Sequence, residues 1–140
     1  MLKLSAIRVG EHLPERSHQP DTVQLFMYNA AIWNPHRIHY DLPYTTEVEG
    51  HPGIVIDGPL QGDWLSQVVL EWMGDNAELV RFGYSNRRAS YLGETLRATG
   101  RVAAVDHATG MVRVELEVLN ENNECITPGE AVVRFPQETA

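Results

Sequence analysis

Leu60, Trp64, Leu65, Val68, Val69, Trp72 and Met73 recur at steps of four or three alternating with one. That rhythm draws a broad apolar stripe down one helix, predicted over about 59–73. A face holding two Trp and a Met needs a broad cover, so the helix is expected to lie against a sheet. Each large side chain removed from water there contributes about 1.5–3 kcal/mol. Upstream, Val23, Phe26, Met27, Ala30 and Ala31 repeat at helical spacing over 22–31, behind Asp21 as N-cap and Gln24 where a capping-box partner sits. Asp41 followed by Pro43 marks the start of a short second helix. Gly50 to Gly53 makes a turn into the short buried run Ile54, Val55, Ile56.

The back half alternates instead. Val112, Val114, Leu116 and Val118 interleave with Arg113, Glu115 and Glu117, which predicts a strand with one dry and one wet face. Strands are expected over 79–90, 95–105, 111–119 and 131–135, with a weaker one over 2–8, while 10–20 reads as loop. The connections at 91–93, 106–110 and 120–124 look like hairpins. The class is therefore α+β: a meander of antiparallel strands around one apolar helix, in one domain over 1–140.

Charge narrows the partners. Nineteen acidic residues against eleven basic ones leave a net charge of −8. Such a chain repels a phosphate backbone overall, so neither nucleic acid nor an anionic membrane surface is an expected partner. No apolar run approaches the roughly 18 residues of a membrane span. Cys125 stands alone, and the N-terminus lacks a signal-peptide pattern, so the expected setting is cytoplasmic.

The chemistry concentrates in Trp33-Asn34-Pro35-His36-Arg37-Ile38-His39-Tyr40-Asp41. Four readings compete for it. The segment could be structural, with Asp41 capping the next helix and both histidines serving the loop. Metal binding by His36 and His39 lacks a third ligand, and no metal is expected. Nucleophilic catalysis finds no Cys125–His pairing in sequence and no nucleophile elbow. General acid–base work by a histidine, steered by a neighbouring amide or carboxylate, is the fourth.

With its neighbours, the segment resembles the MaoC-like (R)-specific enoyl-thioester hydratases. The likeness is strongest to the second half of type 2 3-hydroxyacyl-thioester dehydratases and of mesaconyl- and itaconyl-CoA hydratases. The residues carrying it are Asn29 to Asp41, then Glu49-Gly50-His51-Pro52-Gly53-Ile54-Val55-Ile56-Asp57-Gly58-Pro59-Leu60, and the turn Leu92-Gly93-Glu94-Thr95-Leu96. The resemblance implies a hot-dog fold, an antiparallel sheet wrapped around one long central helix. It also implies interconversion of trans-2-enoyl-CoA and (3R)-3-hydroxyacyl-CoA, with no cofactor. It makes His39 the acid–base group, with Asn34 as water-positioning amide and the Gly58 N–H as thioester-oxygen donor. His36, Arg37, Arg87 and Arg88 are candidate substrate contacts, the arginines for coenzyme A phosphates.

The chain departs from the pattern twice. Asn34 stands where the wider family has Asp, although the close subgroup resembles Asn there too, and Asp57 stands where His precedes the Gly; no role is assigned to Asp57. Because the chain resembles one half of a double hot-dog, its expected partner is a second hot-dog subunit, identical or separately encoded. The rival functions are a non-catalytic partner subunit and a hot-dog acyl-CoA thioesterase.

Overall fold

In the computed structural model, which describes residues 1–137, the apolar stripe forms helix α2 (Gly58–Met73). All seven stripe residues are buried. Pro59 sits in the first turn, where its missing N–H costs nothing. Gly74 ends the helix at φ +67°, its N–H bonded to Leu70 O at 3.2 Å. Helix α1 (Thr22–Ala31) also matches the sequence reading, and Asp21 caps it by accepting from the Gln24 N–H at 2.8 Å.

The sheet has five strands: β1 (Arg16–His18), β2 (Glu78–Tyr84), β3 (Leu96–Asp106), β4 (Met111–Leu119) and β5 (Cys125–Arg134). Their spatial order is β1-β3-β4-β5-β2, every neighbouring pair antiparallel. α2 packs against β2, β3, β4 and β5, so the sheet wraps around the helix as a hot-dog fold. On β4 the four alternating apolar residues are buried, each at most 3% exposed.

Several sequence expectations need correction. Residues 91–93 do form a tight turn, with Gly93 at φ +98° and the Glu94 N–H bonded to Tyr91 O. It is not a hairpin, because β2 pairs with β5 at the opposite side of the sheet from β1. Only β3, β4 and β5 are a meander. β2 stops at Tyr84, although the Ser85 and Arg87 N–H groups still bond to Pro128 O and Ile126 O of β5 before the chain crosses over. β5 begins at Cys125, earlier than 131, because both β4 and β2 need its length as a ladder partner. Leu4–Ala6 is a 3₁₀ turn, not a strand, and the expected loop over 10–20 contains β1. The short helix after Asp41 exists as a single π-type turn, Tyr44–Val48.

Candidate functional site

The chain leaves α1 through a strained turn. Trp33 adopts φ +60°, unfavourable for so bulky a side chain, and is 91% exposed. The reversal lets the Asn34 N–H bond back to Asn29 O at 2.9 Å, bringing the two asparagines together. The Asn34 side-chain Oδ1 then accepts from the His36 N–H at 3.1 Å.

A 3₁₀ turn, Arg37–His39, follows and buries His39 to 7% exposure. The run Ile54, Val55, Ile56 grips this turn from both directions. The Val55 N–H donates to Ile38 O at 3.0 Å, and Val55 O stands 2.8 Å from His39 Nδ1. Because a carbonyl only accepts, Nδ1 carries the proton and Nε2 is left as the basic nitrogen. Asp41 caps the π turn, accepting from the Tyr44 N–H at 3.1 Å.

Three elements meet at Asp57, the residue just before α2. It is fully buried. Its Oδ2 lies 3.5 Å from His39 Nε2 and 3.5 Å from Asn34 Nδ2, and its Oδ1 accepts from Asn29 Nδ2 at 3.0 Å. Burial raises the Asp57 carboxyl above the usual carboxylate range, against the opposing pull of His39 and the two amides. Asp57 and Asn29 are the site residues that sequence reasoning missed. Asp57 showed in its departure from the His-Gly pattern and in its charge at the end of a buried run, and Asn29 showed only as part of the resemblance.

A cavity of about 320 Å³ opens beside this cluster, lined by His39, Ile56, Gly58, Gln61, Asn86 and Arg87 among others. Gly58 begins α2, and the first N–H groups of a helix have no intrahelical partner. Under the cavity, Gln61, Ser90 and Thr127 are buried together: Gln61 Nε2 donates to Ser90 Oγ at 3.2 Å, and the Thr127 hydroxyl donates to Gln61 Oε1 at 2.6 Å.

The candidate arginines differ. Arg37 is engaged by Asp41 at 2.7 Å and lies over the Tyr44 ring, and Arg88 pairs with Glu124. Arg87 alone among the ten arginines has a side chain without a hydrogen bond or ion pair to any described residue. His36 is exposed and meets His39 edge-on, ring centroids 5.7 Å apart. Among the described residues no group of three or more His, Cys, Asp or Glu is placed to hold a metal ion. No helix among them is long and apolar enough to cross a membrane.

Comparison with known proteins covers both the front half and the fold. Residues 8–92 match the family model for hydroxyacyl-thioester dehydratase type 2. Mesaconyl-C(4)-CoA hydratase of Chloroflexus aurantiacus is 51% identical over 45 residues, 32% of this chain and 16% of that protein. The curated relatives are matched over no more than 34% of their own length. The (R)-hydratase from A. caviae involved in PHA biosynthesis superposes with a TM-score of 0.84 at 16% identity, over 94% of this chain and 98% of that one. The ChsH1-ChsH2 complex from Mycobacterium tuberculosis gives 0.80 at 19% identity, over 92% and 98%. With the fold, the Asn34–His39 loop and a family match over residues 8–92 in agreement, the chain belongs to the hydroxyacyl-thioester dehydratase type 2 family of MaoC-like hot-dog proteins.

Proposed function

We propose that the chain is a hydratase that adds water reversibly to a trans-2-enoyl thioester of coenzyme A, giving the (3R)-3-hydroxyacyl thioester. The observation that carries this reading is a cavity lined by both His39 and Gly58, the first residue of α2. Water attacks the β-carbon, and the C–O bond forms as one water proton passes to His39 Nε2. The displaced electron pair moves onto the thioester oxygen, where the Gly58 N–H at the positive end of α2 stabilises it. Return of that pair reforms the carbonyl while the α-carbon takes the proton from Nε2, so His39 ends as it began. Asn34 contributes from the cluster behind the histidine, since its oxygen is already engaged by the His36 N–H.

Arg87 is the arginine assigned to the coenzyme A phosphates, because Arg37 and Arg88 are already paired. The active unit is a dimer of hot-dog halves, identical or separately encoded. The exposed apolar residues Val23, Phe26, Met27 and Trp33, each more than 60% exposed, support that assembly. The likeness to chains of the ChsH1-ChsH2 and HadBC complexes keeps a co-catalytic subunit as the second reading.

Incubation of the purified protein with crotonyl-CoA, alone and with a second hot-dog subunit, tests the proposal. Loss of enoyl absorbance without thiol release is the expected result. Thiol release would instead identify a thioesterase, and activity only with the second subunit would favour the co-catalytic reading.

A further inference from the structure

The carboxylate absent from position 34 has a counterpart in Asp57. Asn29, from the last turns of α1, holds its Oδ1; Asn34, from the loop, and His39, from the 3₁₀ turn, both face its Oδ2. The Asn29 amide is fixed in turn by donating to Leu25 O at 2.7 Å, so its nitrogen cannot trade places with its oxygen without setting two acceptors against acceptors. Nothing in this arrangement caps α2, since the Asp57 side chain makes no hydrogen bond to the helix start. A buried carboxylate that serves no cap and is met by two amides and a histidine is costly to keep in a fold.

The histidine tautomer decides what the carboxylate is for. With the Nδ1 proton committed to Val55 O, Nε2 turns a lone pair toward a carboxylate oxygen 3.5 Å away. Two electron-rich atoms so placed repel unless a proton is held by one of them. We propose that Asp57 and His39 share one proton and act as a single proton-handling pair, with Asp57 as the positioning residue that replaces the carboxylate missing at position 34. This rests on the hydratase reading and extends it.

During hydration the shared proton withdraws to Asp57 Oδ2, which frees Nε2 to take the water proton as the C–O bond forms; Nε2 returns that proton to the α-carbon, and the pair again holds one. Beside the pair, Asn29 Oδ1 is buried with no donor among the described residues. The other titratable groups around the pair are His36, edge-on to His39, and Tyr28 of α1, whose hydroxyl donates to Asp63 of α2 at 2.8 Å.

Two measurements test the pair, and the first needs no activity. NMR titration of the wild-type chain should show the His39 Nε2 and Asp57 carboxyl resonances moving together through the same transitions, as for coupled groups. An Asp57 carboxyl that stays fixed while His39 titrates overturns the proposal. Kinetically, Asp57→Asn should lower kcat for crotonyl-CoA by about 10²-fold or more with KM little changed, the scale of an acid–base contribution. Its pH–rate profile should lose one limb. Moving the carboxylate back, in Asn34→Asp/Asp57→Asn, should recover at least about tenfold. Full turnover and an unmoved pH profile in Asp57→Asn also overturn it. If the wild-type protein hydrates no enoyl thioester, the hydratase reading falls, and the NMR titration alone decides whether the pair exists.

Discussion

Gly58 and Asn86 touch across the cavity: a Cβ on Gly58 would stand 2.1 Å from the Asn86 amide nitrogen. Asn86 itself lies against the Thr127 hydroxyl, 3.1 Å from its Oδ1, so its amide is not free to swing away without loss. Gly58→Ala should therefore displace Asn86 into the space for the thioester and lower kcat/KM by about tenfold or more, on the scale of oxyanion-donor changes. Adding Asn86→Ala separates two causes. Recovery in the double variant would assign the loss to the clash, whereas a persistent deficit would assign it to thioester approach at Gly58.

His39→Ala is expected to lower the hydration rate by roughly 10²–10⁴-fold, the range for a general acid–base group. Circular dichroism should show the sheet and helices retained. A folded variant with near-full turnover would remove His39 from the mechanism.

Asp57 carries a stability prediction with a definite sign. Burial holds its folded carboxyl above the ordinary carboxylate value, so in the range between the two the native state binds more protons than the unfolded chain. Its contribution is favourable below the unfolded value and is lost as the pH rises through the raised folded value. Asp57→Asn should consequently be more stable than wild type at neutral pH, with a shallower pH dependence on the acid side. Thermal melts at several pH values read this directly, at about 2–4 °C for each kcal/mol in a chain of this size. A lower melting temperature for Asp57→Asn at pH 7 would mean that the charged pair is net stabilising.

Among the arginines, Arg87→Ala should raise KM for crotonyl-CoA by about tenfold, the value of one charge-assisted hydrogen bond lost. KM for crotonyl-pantetheine, which lacks the phosphates, should not move. Arg37→Ala should leave both unchanged, because Asp41 already occupies that guanidinium. Equal effects of Arg87→Ala on both thioesters would place it at the acyl end.

For assembly, sedimentation should find the active species as a dimer. Replacing the exposed Phe26 and Met27 of α1 with Lys should shift it toward monomer. An active protein that sediments strictly as a monomer contradicts the shared-site arrangement.

Much of this architecture could be read from local pattern. α1 and α2 announce themselves through helical spacing and, at Asp21, a side-chain cap; β4 does so through strict alternation. The place of β2 could not be read in that way. The turn at 91–93 has the right local chemistry for a hairpin, but which strand lies beside β2 depends on β5, and no local signal specifies that. The site divides along the same line. His39 and Asn34 sit in one continuous segment, while Asp57 joins them only through the fold, its contact with His39 spanning 18 positions. A charged residue directly after Ile54, Val55 and Ile56 was the physical clue, since a charge at the end of a buried run needs a partner.

The order β1-β3-β4-β5-β2 also governs how the chain can be made. β2 leaves the ribosome early, yet its ladder runs from Glu78 against Arg134 to Tyr84 against Gly129. Until β5 has been synthesised, β2 can lie against α2 but has no strand to pair with. The β3–β4 hairpin can form at once, so it is the natural nucleus, and closure by β5 is the late step that non-local pairing slows. Chains released before Cys125 would carry the two Trp of α2 without their full cover, and an unpaired strand, into solution, a species primed for chaperone capture or aggregation.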